Sequence, residues 1–247
     1  MTSPVSLAAV GEVGKGFIQE RTSDTLPCQA DTGKLFCFDW ARENIDRYGT
    51  PTVQHLELVM ISVLLGFAIA FALSLLSHRH RWLQPPLLAG TGVLYTIPSI
   101  AFFFLLLPIT GRGSDTAIIA LSAYTLQIIY RNTTIGLRNV PASVKDAARG
   151  MGLTDRQILW RVELPLATPE IVAGLRIATV STVALATLAV FAGGGGLGTQ
   201  IYGGGNLNFI TSIVIAGGIA MLMALAFDVL LLGFQRLRTP WRRASTA

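Results

Sequence analysis

Charge is what this sequence has least of. Asp, Glu, Lys and Arg make up 13% of its 247 residues, about half of the roughly 25% that a soluble domain carries. Cysteine is almost missing: Cys28 and Cys37 are the only two. That excludes a disulfide-dense scaffold, and no His or Cys neighbour gives either one metal-ligand spacing, so no metal site is expected. The histidines, His55, His78 and His80, stand at the ends of the first long apolar run and read as interfacial residues. No G-x-x-x-x-G-K-[ST] exists. The nearest string, GEVGKG at 11–16, has the wrong spacing and no following Ser or Thr, so no phosphate-cradling loop is expected in this chain. There is no H-E-x-x-H, no G-x-S-x-G and no pair of acids inside an apolar run. An intramembrane enzyme or an ion-coupled carrier would need such groups.

What is present is apolar length. Hydrophobic residues reach 51% and the mean hydropathy is +0.56. About 20 mostly apolar residues cross ~30 Å of hydrocarbon, and five segments qualify as spans: 56–76, 87–109, 116–130, 171–192 and 209–234. The third is short. It must borrow polar flanks, lie behind its neighbours, or re-enter from one side. The expected fold is therefore an all-α integral membrane protein in which residues 1–54 precede a five-span domain, 55–234, and a basic tail, 235–247. An odd number of spans puts the termini on opposite sides.

Basic residues set the orientation. Arg131, Arg138, Lys145, Arg149, Arg156 and Arg161 crowd one connection, and the C-terminal tail adds Arg236, Arg238, Arg242 and Arg243. The connection between the last two spans has no basic residue, and Arg112 stands alone in its loop. The crowded side is assigned to the cytoplasm, with the N-terminus outside and the C-terminus inside. Lys15, Arg21, Lys34, Arg42 and Arg47 in the N-terminal tail weaken this bias without reversing it. The net charge of +5 then reflects topology and calls for no nucleic-acid partner.

No apolar core follows the first basic residues, so no signal peptide is expected. Between 35 and 48, Leu35, Phe38, Ala41, Ile45 and Tyr48 recur at helical spacing, which fits an amphipathic helix at the membrane surface or one packed on the protein's own loops. Cys28 and Cys37 could pair if the tail is extracytoplasmic or stay as thiols. Apart from Glu57 at the very start of the first span, Arg176 and Asp228 are the charged groups within spans, free to snorkel or to pair. Pro98, in the string YTIPSIAFF, breaks the second span's hydrogen-bond ladder. Thr96 and Ser99 beside it can satisfy freed backbone groups. Such a break suits a helix that lines a cavity, so Tyr95, Thr96, Pro98 and Ser99 are candidate path residues. Thr182 joins them as part of a small-residue stripe in the fourth span (Ala178, Thr182, Ala186, Ala189, Gly193), which suits either close packing or a pore. Residues 192–206, AGGGGLGTQIYGGGN, read as a tight outer loop, too glycine-rich to continue a helix.

One polar connection, 139–169, is punctuated with care. Pro141 suits a helix start, Ala147 and Ala148 give a small surface, and Gly152 suits a left-handed helix end. Thr154 and Gln157 form a capping box for a second helix, which Pro165 is expected to stop. Two short helices at a glycine corner would present a rigid knob to a partner.

Here the sequence resembles a known family. Asp146, Ala147 and Ala148, then Gly152, then Val162, Leu164 and Pro165 resemble the E-A-A-x-x-x-G-x(9)-I-x-L-P loop of ABC importer permeases, with Asp for Glu and Val for Ile. The strings YTIPSIAFF, RNTTIGLRNVPASVKDAARGMG, VELPLATPEIVAGLR and FAGGGGLG resemble the permeases of glycine betaine, choline and other osmoprotectant importers. The resemblance implies a type I, methionine-permease-like core in a bacterial inner membrane. It implies that 146–152 with Val162, Leu164 and Pro165 couple to a cytosolic ATPase that holds the ATP and magnesium, so this chain needs no cofactor of its own. It also implies a second permease chain, copy or homologue, and an extracytoplasmic binding protein. The solute expected is glycine betaine, choline or carnitine. An amino acid such as methionine is the rival.

Overall fold

The computed structural model describes residues 36–239, and the secondary structure among them is helical throughout. A short helix, α1 (Phe38–Glu43), and a 3-10 turn (Ile45–Tyr48) lead into α2 (Gly49–Arg79). A turn at Arg81–Leu83 precedes α3 (Gln84–Thr96) and α4 (Ser99–Thr110), followed by α5 (Ser114–Arg138) and α6 (Ala142–Gly150). One turn of α-helix, α7 (Asp155–Ile158), and a π-helical turn (Leu159–Glu163) run into α8 (Leu164–Ala186), which ends as a 3-10 helix at Thr187–Ala192. Then come α9 (Leu197–Asn206) and α10 (Ile210–Arg238).

All five apolar segments lie in helices. Three rods are each long and apolar enough to cross a bilayer: Ile45–Arg79, Asp155–Ala192 and Ile210–Arg238. The span expected over 87–109 is not one rod. It bends by 99° between α3 and α4, because Pro98 offers no N–H and confines Ile97 to extended geometry, at ψ 128°. The shortness of 116–130 resolves differently. Helix α5 continues to Arg138 and buries Thr116, Ser122, Thr125 and Thr133 along with Leu121, Ile129 and Leu137. A helix sheltered by its neighbours can carry hydroxyls when most are bonded; of these four, Thr133 Oγ1 alone is without a partner. Ser122 Oγ donates to the Ser62 carbonyl of α2 at 3.2 Å, and Thr125 Oγ1 donates to Ser122 at 2.7 Å.

Three apolar clusters stack along the bundle. One surrounds Phe103, Leu121, Val183 and Leu197. A second joins Ala70, Ile129, Tyr130 and Ala178. The third, around Leu137, Leu164, Ala167 and Ile171, lies next to the polar connection. Ala178, Thr182, Ala186 and Ala189 are all inside this packing, so the small-residue stripe serves helix contact.

The N-terminal amphipathic helix is interrupted at Asn44. Phe38 and Ile45 face outward, whereas Cys37 and Tyr48 are buried. The Cys37 N–H donates to Thr211 Oγ1 at 2.9 Å, the Tyr48 hydroxyl donates to Ser212 at 3.1 Å, and Trp40 meets the Phe209 ring edge-on at 4.6 Å. The segment is thereby moored to the start of α10. Cys37 is disulfide-bonded; Cys28, and most of the tail 1–54, lie outside the described residues, as does most of the basic tail 235–247.

The glycine-rich stretch is only half a loop. Gly193, Gly195 and Gly196 take φ of 80°, 75° and 78° and turn the chain. Residues from Leu197 then form α9, which packs on α10. Glycine is used here for close approach: a Cβ on Gly198 would lie 1.9 Å from the Thr187 carbonyl oxygen. That neighbour is backbone and cannot rotate away. Gly198→Ala is expected to destabilise the protein by about 1–3 kcal/mol, read as lower membrane abundance and a lower melting temperature in detergent. Unchanged values would show that α9 can lift off the bundle at no cost.

Candidate functional site

The polar connection folds into a compact knob at the end of the bundle where α2 finishes. Val140 is buried and Pro141 caps α6 in extended geometry. The helix closes at Gly152, φ 80°: the Gly152 N–H donates to the Arg149 carbonyl at 2.9 Å and the Leu153 N–H to Ala148 at 3.2 Å. This is the paired bonding of a Schellman corner. Thr154 then caps α7: its N–H donates to Gln157 Oε1 at 2.8 Å and its hydroxyl oxygen accepts from the Gln157 N–H at 3.4 Å.

Pro165 does not stop this second helix, contrary to the sequence-based expectation. The chain is helical from Asp155 to Ala192. Pro165 falls in the first turn of α8, and the wider π turn at Leu159–Glu163 accommodates its missing donor and its ring. The knob is therefore the head of a bilayer-length helix.

The expected site residues divide by exposure. Asp146, Ala147 and Gly152 are exposed, and Asp146 Oδ1 accepts from Arg149 at 3.1 Å. Ala148 is 1% exposed, so it packs inward and offers no surface to a partner. Val162 is half-buried, Leu164 is buried, and Pro165 is exposed. Reasoning from the sequence missed two features. Met151 and Trp160 are 73% and 54% exposed, and add apolar area to the surface of the knob. Glu163 is buried, with His78 Nε2 at 2.6 Å and Lys145 Nζ at 3.1 Å. It ties α6, the head of the rod and the end of α2 together. A lone acid between Val162 and Leu164 was the available signal.

The candidate path residues disperse. Tyr95 and Thr96 are exposed at the end of α3, and the Thr96 hydroxyl donates to Val93 at 2.7 Å. Pro98 and Ser99 form the break, where the Tyr124 hydroxyl donates to the Ile97 carbonyl. Tyr95 and Phe102 meet Tyr124 edge-on at 6.0 and 5.7 Å; they pack on one another and do not form a cage. Thr182 is 1% exposed and donates to Ala178 at 2.7 Å, which takes it off any open surface. Arg176 and Asp228 pair with each other: Nε to Oδ1 at 2.9 Å and Nη2 to Oδ2 at 2.8 Å. Among the described residues no group of three or more His, Cys, Asp or Glu could hold a metal.

Bilayer-length helices around a buried, hydroxyl-bearing helix, with an exposed polar head at one end, define a multi-pass membrane protein. Residues 62–243 match the family described as binding-protein-dependent transport system inner membrane component, and the chain belongs to that family. Such proteins are transport subunits, which work with an ATPase and a substrate-binding protein. Similar relatives include the osmoprotectant import permease protein OsmW of Salmonella typhimurium, 36% identical over 80% of this chain and 94% of its own length. The carnitine transport permease protein OpuCB of Listeria monocytogenes is 38% identical over 76% and 85%, and the choline transport system permease protein OpuBB of Bacillus subtilis is 35% identical over 76% and 87%. The fold is similar to the MetNI methionine ABC transporter in an inward-facing conformation, with TM-score 0.67, 22% identity and coverage of 75% and 93%. It is also similar to an amino acid ABC transporter, with TM-score 0.66, 20% identity and coverage of 81% and 98%.

Proposed function

We propose that this chain is the permease subunit of an ATP-driven importer for a small osmoprotectant such as glycine betaine, choline or carnitine. The observation that carries the coupling half of this reading is the Schellman-cornered knob, continuous with the helix Asp155–Ala192. Named osmoprotectant, choline and carnitine permeases at 35–38% identity support the solute. The rival amino-acid solute has only likeness of fold behind it.

In this reading Asp146, Ala147 and Gly152, with Met151 and Trp160, meet a cytosolic ATPase that holds ATP and magnesium. Ala148, Val162 and Leu164 seat that surface from behind, and the exposed Pro165 flanks it. A second permease chain completes the path, and an external binding protein delivers the solute. The test is uptake of labelled glycine betaine in cells stripped of their own osmoprotectant importers and supplied with this chain, its ATPase and its binding protein. ATP- and binding-protein-dependent accumulation is expected; uptake of methionine but not of any osmoprotectant would replace the solute assignment.

The knob side is assigned to the cytoplasm by its basic residues. With Asp39→Cys, at an exposed position, a membrane-impermeant thiol reagent is therefore expected to label residue 39 in intact cells. Labelling only after lysis would invert the topology.

A further inference from the structure

Within the span helices, Arg176 of α8 and Asp228 of α10 form a two-pronged ion pair. Asp228 lies eight residues before Arg236, the first basic residue at the helix end, or about 12 Å along the axis. That depth is inside the hydrocarbon zone of ~30 Å. The pair is not sealed. The side chains are 24% and 34% exposed, and they open onto a groove of about 580 Å³ walled by Val180, Ser181, Met221 and Leu225. Asp228 takes up two of the five N–H groups of the guanidinium. Lipid tails supply no acceptor for the rest, and charged groups at this depth face a bundle interior or a water-filled cavity.

We infer that this groove is a transient binding site for solutes carrying both a carboxylate and a cationic nitrogen, with the carboxylate on Arg176 and the cation on Asp228. The inference rests on the osmoprotectant reading and deepens it. A guanidinium that holds the Asp228 carboxylate by its fork can hold a solute carboxylate in the same geometry. When a zwitterion enters, each protein charge exchanges one partner for another and neither is left bare. A solute with a cation alone compensates Asp228 but leaves Arg176 without the forked charge-assisted bonds it had, which water in the groove replaces only in part. The site therefore favours glycine betaine over choline. The exchange also keeps binding weak, because the solute displaces a bond of equal kind; a path site must release what it takes.

The test uses the purified permease–ATPase complex without binding protein, with saturation-transfer NMR on the N-methyl protons of glycine betaine and of choline. The variants are Arg176→Gln and the double change R176M/D228L, which keeps side-chain volume and leaves no bare charge. Glycine betaine is expected to show saturation transfer with the wild type. The signal should fall at least fivefold in both variants while the ATPase co-purifies as before. Choline should give a signal at least fivefold weaker than glycine betaine. Equal glycine betaine signals in the wild type and the double variant, equal signals for the two solutes, or no signal from a wild-type complex that transports glycine betaine would each overturn the site. A wild-type complex that transports no osmoprotectant at all would overturn the functional reading beneath it.

Discussion

Ala147→Trp is expected to abolish solute uptake and ATPase co-purification while membrane abundance stays at the wild-type level. Ala147 is exposed on α6, one residue before the buried Ala148 and close to Met151. An indole there disturbs nothing inside the chain, so folding and insertion proceed. It does occupy the volume that a close-fitting partner needs. A loss of roughly 100-fold in association, equivalent to about 2.7 kcal/mol, is expected from one clashing aromatic ring in a small interface. Ala148→Trp must behave differently. Its side chain points into the packing behind the knob, so it should lower abundance, by overpacking of about 1–3 kcal/mol or more. Measured together by membrane immunoblot and co-purification, the two substitutions separate contact from folding. If both lower abundance equally, residue 147 is part of the core. If Ala147→Trp retains both uptake and ATPase, the knob does not dock there.

Glu163→Gln is the second large effect. Glu163 is buried and holds Lys145 of α6 and His78 of α2. Removing its charge leaves Lys145, whose side chain is 18% exposed, facing an amide. Breaking a buried pair on one side costs about 3–5 kcal/mol, and the water that still reaches Lys145 puts this case at about 3. The knob would loosen from the rod without losing its outer surface. Uptake should fall roughly tenfold or more while the ATPase still co-purifies. Replacement of Lys145 and Glu163 together, K145M/E163L, should recover part of the loss, since it removes the bare charge and leaves only His78, whose side chain is 24% exposed and reaches water, without its partner. Failure of the double change to recover would mean that the charges themselves act in transport. Exposed pairs such as Arg149–Asp155, at 3.8 Å and largely in water, should matter little.

Most of the architecture was legible in the sequence because hydrocarbon imposes length. The runs 56–76 and 209–234 fall within α2 and α10, with ends set by Arg79 and Arg236. The knob was legible because corners need particular residues: Gly152 at φ 80° and the Thr154–Gln157 box occupy the expected places. What escaped depends on neighbours. Pro165 carries the mark of a helix end, and only the π turn before it lets the helix continue. The string LGTQIYGGGN has the composition of a loop, yet α10 and the Thr187 backbone provide a cradle that glycine alone can enter. Ala147 and Ala148 look alike in sequence; the direction in which α6 seats on the bundle decides which is surface. Glu163 stands alone between Val162 and Leu164, a hint of burial, but its partners His78 and Lys145 lie on α2 and α6 and could not be read from spacing.

The central claim is that the knob is where this permease takes up the work of its ATPase. The direct measurement is photo-crosslinking in membranes, with a benzophenone side chain placed at Ala147 or, as a control, at Val214. Val214 is half exposed on α10, far along the rod from the knob. A covalent adduct with the ATPase is expected from position 147 and not from position 214. An actively transporting complex that gives no ATPase adduct from position 147 would contradict the account.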